Sequence, residues 1–382
     1  MKLIRTSTVP ESLNGFCKTL LKELQVDEGY EVVAISSPGE ELDEIALREG
    51  VRTVAVPMQR RISPFKDLLS LFKLIKVFRK EKPQMVHSIT PKAGLLSMIA
   101  AWICRVPVRL HTFTGLVFPT EKGLKQKILI LTDKITCACA THIVPEGEGV
   151  KNDLINYKIT RKPLSVLGYG NIKGIDLETF DPKSEEVISS ASKISDPGCF
   201  TFVYVGRLVK DKGINELVEA FVRLNAENAN TRLVLVGTDE DESDPLLPET
   251  LKMIKKHPCI QGVGRQNDVR HWLLASDVLV HPSYREGFPN VVIEAGAMGL
   301  PSIVTDINGS REIITHKENG VIVPPRDSEA LYVAMKSALA NREDLKRMAS
   351  NARPMIAKRF EQSFVRRCLK DYYTKILNET IQ

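Results

Sequence analysis

The chain predicts an α/β protein of two doubly wound, parallel-sheet domains, and three observations predict it. Short apolar runs alternate with longer helical patterns along most of the sequence. The alternation breaks once, in a polar stretch at 182–197. The length, 382 residues, exceeds what one hydrophobic core usually fills. Short apolar runs suit strands covered on both faces, and strand–helix repetition suits a parallel sheet.

In order, the first strand run is 3–4, followed by 32–35, 54–56, 85–87, 108–111 and 142–144. Helical patterns fall between them at 16–24, 65–80 and 95–104. The polar stretch, with Lys183-Ser-Glu-Glu and Ser189-Ser-Ala-Ser before Asp196-Pro-Gly198, reads as a linker. A second series of strand runs follows at 200–205, 232–236, 278–280, 302–304 and 321–323. The tail 363–377 reads as a basic amphipathic helix, with its packing left open. The expected division is a first domain over 1–181, a linker over 182–197, a second domain over 198–355 and a helical end over 356–382. In proteins so built, ligands lie in the cleft at the carboxyl ends of strands.

Composition narrows the function classes. With 43% hydrophobic and 26% charged residues, a disordered or fibrous chain is excluded. Aromatic residues are sparse, which leaves no row of stacking platforms for single-stranded nucleic acid. The seven cysteines form no C-x-x-C, so reduced thiols are expected. The amino terminus lacks the apolar core of a signal peptide, and the longest apolar stretch, 95–104, is half a membrane span. A cytoplasmic location is therefore expected. The net charge of +6 is unevenly spread: residues 52–134 hold 16 Lys+Arg against 4 Asp+Glu, a local +12.

The richest chemistry lies between Asp277 and Gly299. An apolar run there leads through Pro282-Ser-Tyr-Arg-Glu286-Gly287-Phe288-Pro289-Asn290 into a helix expected to start near Pro289. The amino end of a helix offers N–H groups and partial positive charge, so this loop is an anion site. Glu286 lies before the helix and Glu294 about one turn inside it. Carboxylates repel phosphate but suit flanking hydroxyl groups; a plain capping or solvating role for Glu294 is the alternative. Upstream, Gly206-Arg207 and Lys212-Gly213 follow the run 200–205, where Arg207 and Lys212 can neutralise a diphosphate.

These motifs, with Ala295-Gly-Ala-Met-Gly-Leu-Pro301, Gly309-Ser-Arg-Glu312 and Asn319-Gly-Val-Ile-Val-Pro324, resemble the GT-B-type retaining glycosyltransferases of the family 4-like, group 1 kind. Thr90-Pro-Lys-Ala-Gly94, Val108-Arg-Leu-His-Thr-Phe-Thr-Gly115 and Gly174-Ile-Asp176 resemble the bacterial polysaccharide and lipopolysaccharide-assembly branch. The resemblance spans nearly the whole chain. It implies two Rossmann-like domains facing a central cleft, with an acceptor in the first and a nucleotide sugar in the second. Arg207, Lys212 and backbone N–H groups around Gly287, Phe288, Pro289 and Asn290 would hold the donor diphosphate. Glu294 would bind the ribose and Glu286 the transferred sugar. The base would lie near Val263 and Arg265. A first-domain histidine of the family has Thr114 in its place here, with His111 three residues earlier; either is a candidate for its role. Of the family's double-glycine acceptor loop, only Asn14-Gly15 remains.

The expected reaction moves a sugar, with retention and without a metal or cofactor, from a nucleotide diphosphate sugar, UDP-linked by preference. The expected acceptor is a saccharide or lipid-linked saccharide in cell-surface polysaccharide assembly. The basic 52–134 region, with its apolar-striped helix at 65–80, suggests peripheral docking on the anionic inner face of the plasma membrane. A solvated face on a core helix is the other reading of that segment. An epimerase of the same fold and a catalytically idle nucleotide- or lipid-binding module are the functional alternatives. Gly168-Tyr-Gly-Asn-Ile-Lys-Gly174, Asp239-Glu-Asp241, His281 and His316 are read as carrying no chemistry of their own.

Overall fold

In the computed structural model, which describes residues 1–59, 63–239 and 244–381, twelve strands form two all-parallel sheets among the described residues. The first sheet contains β1 (Lys2–Thr6), β2 (Glu31–Ser36), β3 (Arg52–Ala55), β4 (Met85–Ile89), β5 (Val108–Phe113) and β6 (His142–Pro145), in the order β3-β2-β1-β4-β5-β6. The second contains β7 (Phe200–Val205), β8 (Thr231–Val236), β9 (Ile260–Gly264), β10 (Val278–His281), β11 (Ser302–Thr305) and β12 (Gly320–Val323), in the order β12-β11-β10-β7-β8-β9. β9 was not among the expected strands. Its sequence, Ile-Gln-Gly-Val-Gly, carries two glycines, and only its first residue is buried.

Each sheet reverses its direction of winding once, between β1 and β4 in the first and between β7 and β10 in the second. Loops leaving two such neighbouring strands diverge to opposite faces and open a crevice at their carboxyl ends. Hydrogen-bonded pairing of Phe202 with Val278 and of Val203 with Leu279 brings the β7 and β10 ends side by side.

The chain forms two compact units, Met1–Lys173 with Ser363–Gln382, and Gly174–Gln362. In the first, one sheet face packs under helices Pro64–Glu81, Pro91–Ile103 and Gly123–Cys139 around Leu74, Phe78 and Phe118. The other face is covered by helices near the amino terminus and by the terminal helix Gln362–Ile381, whose Leu369, Tyr373, Ile376 and Leu377 join that core. The fully buried Arg5 donates 2.6 Å to Tyr373 Oη, which also lies 2.5 Å from His87 Nδ1. In the second unit, helix Arg342–Phe360 packs on helix Asn290–Ala297 where Gly296 leaves room for Ile356.

Three local expectations differ from the structure. The helix expected at 16–24 is two, Pro10–Cys17 and Leu20–Val26, because Thr19 is left-handed at φ 61°. Asn14 and Gly15 consequently lie inside a helix rather than in a loop. The stretch 182–197 carries helix Glu185–Ile194, which buries Val187 and Ala191 against the second unit, so its polar residues are the outer face of an amphipathic helix. The helical end breaks at Glu361, between Phe360 and Gln362, and the division between units falls just after that break.

Candidate active site

The loops leaving β7 and β10 are interlocked. Gly213, at φ +72°, sits so close to Pro282 that a Cβ would stand 2.1 Å from the Pro282 carbonyl oxygen. Tyr284 N–H donates to the Asp211 carbonyl at 2.8 Å, and Arg285 Nη2 lies 2.8 Å from Asp211 Oδ2. Only glycine fits at 213, in both backbone conformation and space. This contact brings together Lys212 and Glu286, 74 residues apart in sequence, and Lys212 Nζ donates to Glu286 Oε1.

Glu286 has a second partner. His281, the last residue of β10, is 3% exposed and places Nε2 3.1 Å from the same Oε1. Its ring stacks on Tyr204 of β7 at 6.3 Å and 7°, and Tyr204 Oη donates to the Arg207 carbonyl at 2.8 Å. A continuous chain therefore runs from the Arg207 backbone through Tyr204 and His281 to Glu286 and Lys212. Burial by itself would raise the Glu286 carboxyl, but the Lys212 charge and the His281 hydrogen bond outweigh it and hold the carboxyl well below the usual range. An ionised carboxylate here is an acceptor for hydroxyl groups. Sequence reasoning set His281 aside as structural; the signal it lacked was spatial, five residues of loop folding back on the strand end.

Helix Asn290–Ala297 follows Pro289 in extended backbone, and the Pro289 side chain makes no capping hydrogen bond. Gly309 packs against this turn, where a Cβ would lie 2.5 Å from the Gly287 carbonyl oxygen. Phe288 is buried against Phe360, ring centroids 5.4 Å apart, so its backbone and not its ring faces the helix end. Pro289 has no N–H, so the backbone donors on either side of it are Phe288 and Asn290. Glu294 lies one turn into the helix and is half-buried. Arg207 is exposed directly after β7.

Val263 and Arg265 stand at the end of β9, on the far side of β8. Between them and β7 the strand ends are lined by glycine: a Cβ on Gly237 would fall 1.8 Å from the Gly206 carbonyl oxygen, and Gly237 N–H donates to the Gly264 carbonyl at 2.9 Å. Gly237 was not singled out from the sequence. The structure thus places Arg207, Lys212, Glu286 to Asn290, Glu294, Val263 and Arg265 along the carboxyl edge of one sheet, in one unit.

His111 and Thr114 belong to the other unit. His111 is 1% exposed in β5, with Nδ1 2.8 Å from Ser88 Oγ and its ring against Gly94; burial pushes its imidazole down to about 3. It is a neutral core side chain. Thr114 is partly exposed just beyond β5. At that sheet's winding reversal, Thr8 and Thr90 hydroxyls meet at 2.8 Å, Thr90 having a positive φ of 73°. Thr8 was not named from the sequence, and Thr90 only as part of the Thr90-Pro-Lys-Ala-Gly94 motif. Of the Asp239-Glu-Asp241 set, Glu240 and Asp241 lie outside the described residues. His316 Nδ1 accepts from Ile322 N–H at 3.0 Å.

Comparison with known proteins adds independent findings. The family model described as "Glycosyl transferases group 1" matches residues 188–355, and "Glycosyl transferase 4-like domain" matches 17–170. The chain is 34% identical to the capsular polysaccharide biosynthesis glycosyltransferase CapM of Staphylococcus aureus, over 92% of either chain. It is 30% identical, over 94% of either chain, to the UDP-Gal:alpha-D-GlcNAc-diphosphoundecaprenol alpha-1,3-galactosyltransferase of Escherichia coli. The crystal structure of Anabaena HepE in complex with UDP superposes with a TM-score of 0.80, covering 98% of this chain and all of that one at 17% identity, a likeness of fold.

Proposed function

The chain belongs to the group 1 glycosyl transferases, and from that premise we propose that it moves a sugar from a UDP-sugar to a lipid-linked saccharide in cell-surface polysaccharide assembly. The observation that carries the donor half is the convergence of Lys212, Glu286 and the start of helix Asn290–Ala297 at the winding reversal of the second sheet. Two relatives support the acceptor half, since one is named for capsular polysaccharide biosynthesis and one for a diphosphoundecaprenol-linked acceptor.

In this reading Arg207 and Lys212 neutralise the diphosphate, and the Phe288 and Asn290 N–H groups meet it at the positive end of the helix. Glu294 accepts from the ribose and Glu286 from the sugar hydroxyls. Val263 and Arg265 border the base, and Thr114 stands on the acceptor side. The bond between the anomeric carbon and the diphosphate oxygen breaks as the acceptor oxygen bonds to the same carbon on the same face. The departing phosphate oxygen takes the acceptor's proton, and the nucleoside diphosphate leaves. Fixed positive charge stabilises the departing group most as charge develops, and here protein groups supply it without a metal. The protein works at the cytoplasmic face of the membrane that holds its acceptor.

A thermal-shift screen of nucleotide sugars, then turnover with the best stabiliser, tests the donor. A UDP-sugar is expected to stabilise and to turn over. NMR of the product is expected to show the donor's anomeric configuration, and an inverted product would overturn retention.

A further inference from the structure

We propose that the outer face of three neighbouring helices in the first unit is a membrane-docking surface that seats on an anionic bilayer and inserts apolar side chains into it. The proposal deepens the lipid-linked-acceptor reading above and rests on it for its purpose. Its physical basis is a pattern of exposure that the sequence alone left open.

Helix Pro64–Glu81 has two apolar faces. The inner one, with Leu74 and Phe78, joins the core. The outer one, on the opposite side, shows Phe65 (87% exposed), Leu68, Leu69 and Phe72. A core helix needs only one apolar stripe. Helix Gly123–Cys139 repeats the arrangement: Asp133, Thr136 and Cys137 face inward, while Leu124 (74% exposed), Ile128, Leu131 and Ile135 recur at helical spacing on the outside. Helix Pro91–Ile103 lies between and packs against both, and it adds exposed Trp102 and Ile103. Two outward apolar rows on these helices, with Trp102 and Ile103 exposed at the end of the helix between them, form a patch of a kind that monomeric proteins seldom leave to water.

Charge identifies the occupant. Lys66, Lys73, Lys76 and Lys80 on the first helix, and Lys127 and Lys134 on the third, are exposed and make no ion pair among the described residues. The acids of the same helices and of the turn before the third are buried or paired. Asp67 is 2.7 Å from Lys92, Glu121 is 2.6 Å from Lys125, Glu81 bonds Lys2, and Asp133 is buried, its carboxyl pushed up to about 7 by desolvation. Apolar rows between unpaired lysines match the acyl and headgroup layers of an anionic leaflet. Each helix also connects parallel strands, so Phe65 and Leu124 lie toward the carboxyl edge of the first sheet, the edge that carries Thr8, Thr90 and Thr114. A docked unit would hold that edge near the lipid surface.

Co-sedimentation of the full chain with vesicles of phosphatidylcholine alone, or with phosphatidylglycerol added, tests this. Two variants accompany it: Phe65→Ser with Phe72→Ser and Leu131→Ser, and Lys73→Glu with Lys76→Glu and Lys127→Glu. Wild type is expected to favour anionic vesicles, and each variant to partition at least about tenfold more weakly, with unchanged thermal unfolding. Transfer to a lipid-free acceptor saccharide is expected to be the same in all three proteins. Equal binding to both vesicles, no binding, or wild-type binding by both variants overturns the docking surface. So does a wild-type dimer that the serine variant dissociates while vesicle binding stays absent. Vesicle binding by a protein that transfers no sugar to any acceptor would instead overturn the functional reading and leave the surface standing.

Discussion

Lys212 and Glu286 each hold the charge of the other, so substituting one changes both. Lys212→Ala leaves a carboxylate with His281 as its remaining neighbour, and Glu286→Gln leaves Lys212 beside a neutral amide. Each change is expected to lower turnover on the order of 10²-fold or more, as removal of a group that meets developing charge does. The pair also sets a pH dependence. The Glu286 carboxyl lies below its ordinary value in the folded protein, so its contribution to stability is present above the unfolded-state value, about 4.3, and is lost as pH falls toward the folded one. Thermal unfolding of the wild type is therefore expected to fall more steeply on acidification below about pH 5 than that of Lys212→Ala. Identical acid slopes would show that Lys212 does not hold the carboxyl down. His281→Phe keeps a ring on Tyr204 but removes the bond to Glu286; turnover is expected to drop about tenfold with little change in melting temperature.

Among the loops, the interlock at Gly213 decides whether those residues meet at all. Alanine there meets both a left-handed backbone and the Pro282 carbonyl, while alanine at Gly264 meets the backbone cost with nothing within 4 Å. Gly213→Ala is expected to cost about 1–3 kcal/mol and lower the melting temperature by roughly 2–10 °C, clearly more than Gly264→Ala. Equal shifts would mean that the two loops are not locked together. Much of this level was legible in advance. Buried parallel strands are continuous apolar runs, and Pro289 announced a helix start because proline suits a first turn. What stayed hidden depends on neighbours distant in sequence. β9 is a glycine-bearing edge strand whose register is held by β8. The helix Glu185–Ile194 shows mostly polar letters because only one narrow side is buried. His281 read as an isolated histidine because its partner is set by a loop, and His111 could not be assigned to cleft or core because Gly94 and Ser88, which pack against its ring, are distant in sequence.

For the whole molecule, charge and chain return matter most. The +12 of residues 52–134 leaves the other 299 residues at −6, so the first unit is strongly basic around its outward apolar helices. That unit is completed only by the terminal helix, which crosses back to bury Leu369, Tyr373, Ile376 and Leu377. Burial of large apolar side chains contributes about 1.5–3 kcal/mol each, and four of them approach the whole stability of a domain. A chain ending at residue 362 is expected to lose slow hydrogen exchange throughout β1 to β6; retained protection would contradict the role given to that helix. In the proposed mechanism, fixed protein charge at the second sheet's winding reversal holds the donor diphosphate. The most direct test is steady-state transfer from the UDP-sugar in excess EDTA, for wild type and Lys212→Ala side by side. Undiminished wild-type turnover and a loss on the order of 10²-fold in Lys212→Ala are predicted; near-wild-type turnover in Lys212→Ala, or abolition of wild-type turnover by EDTA, would contradict it.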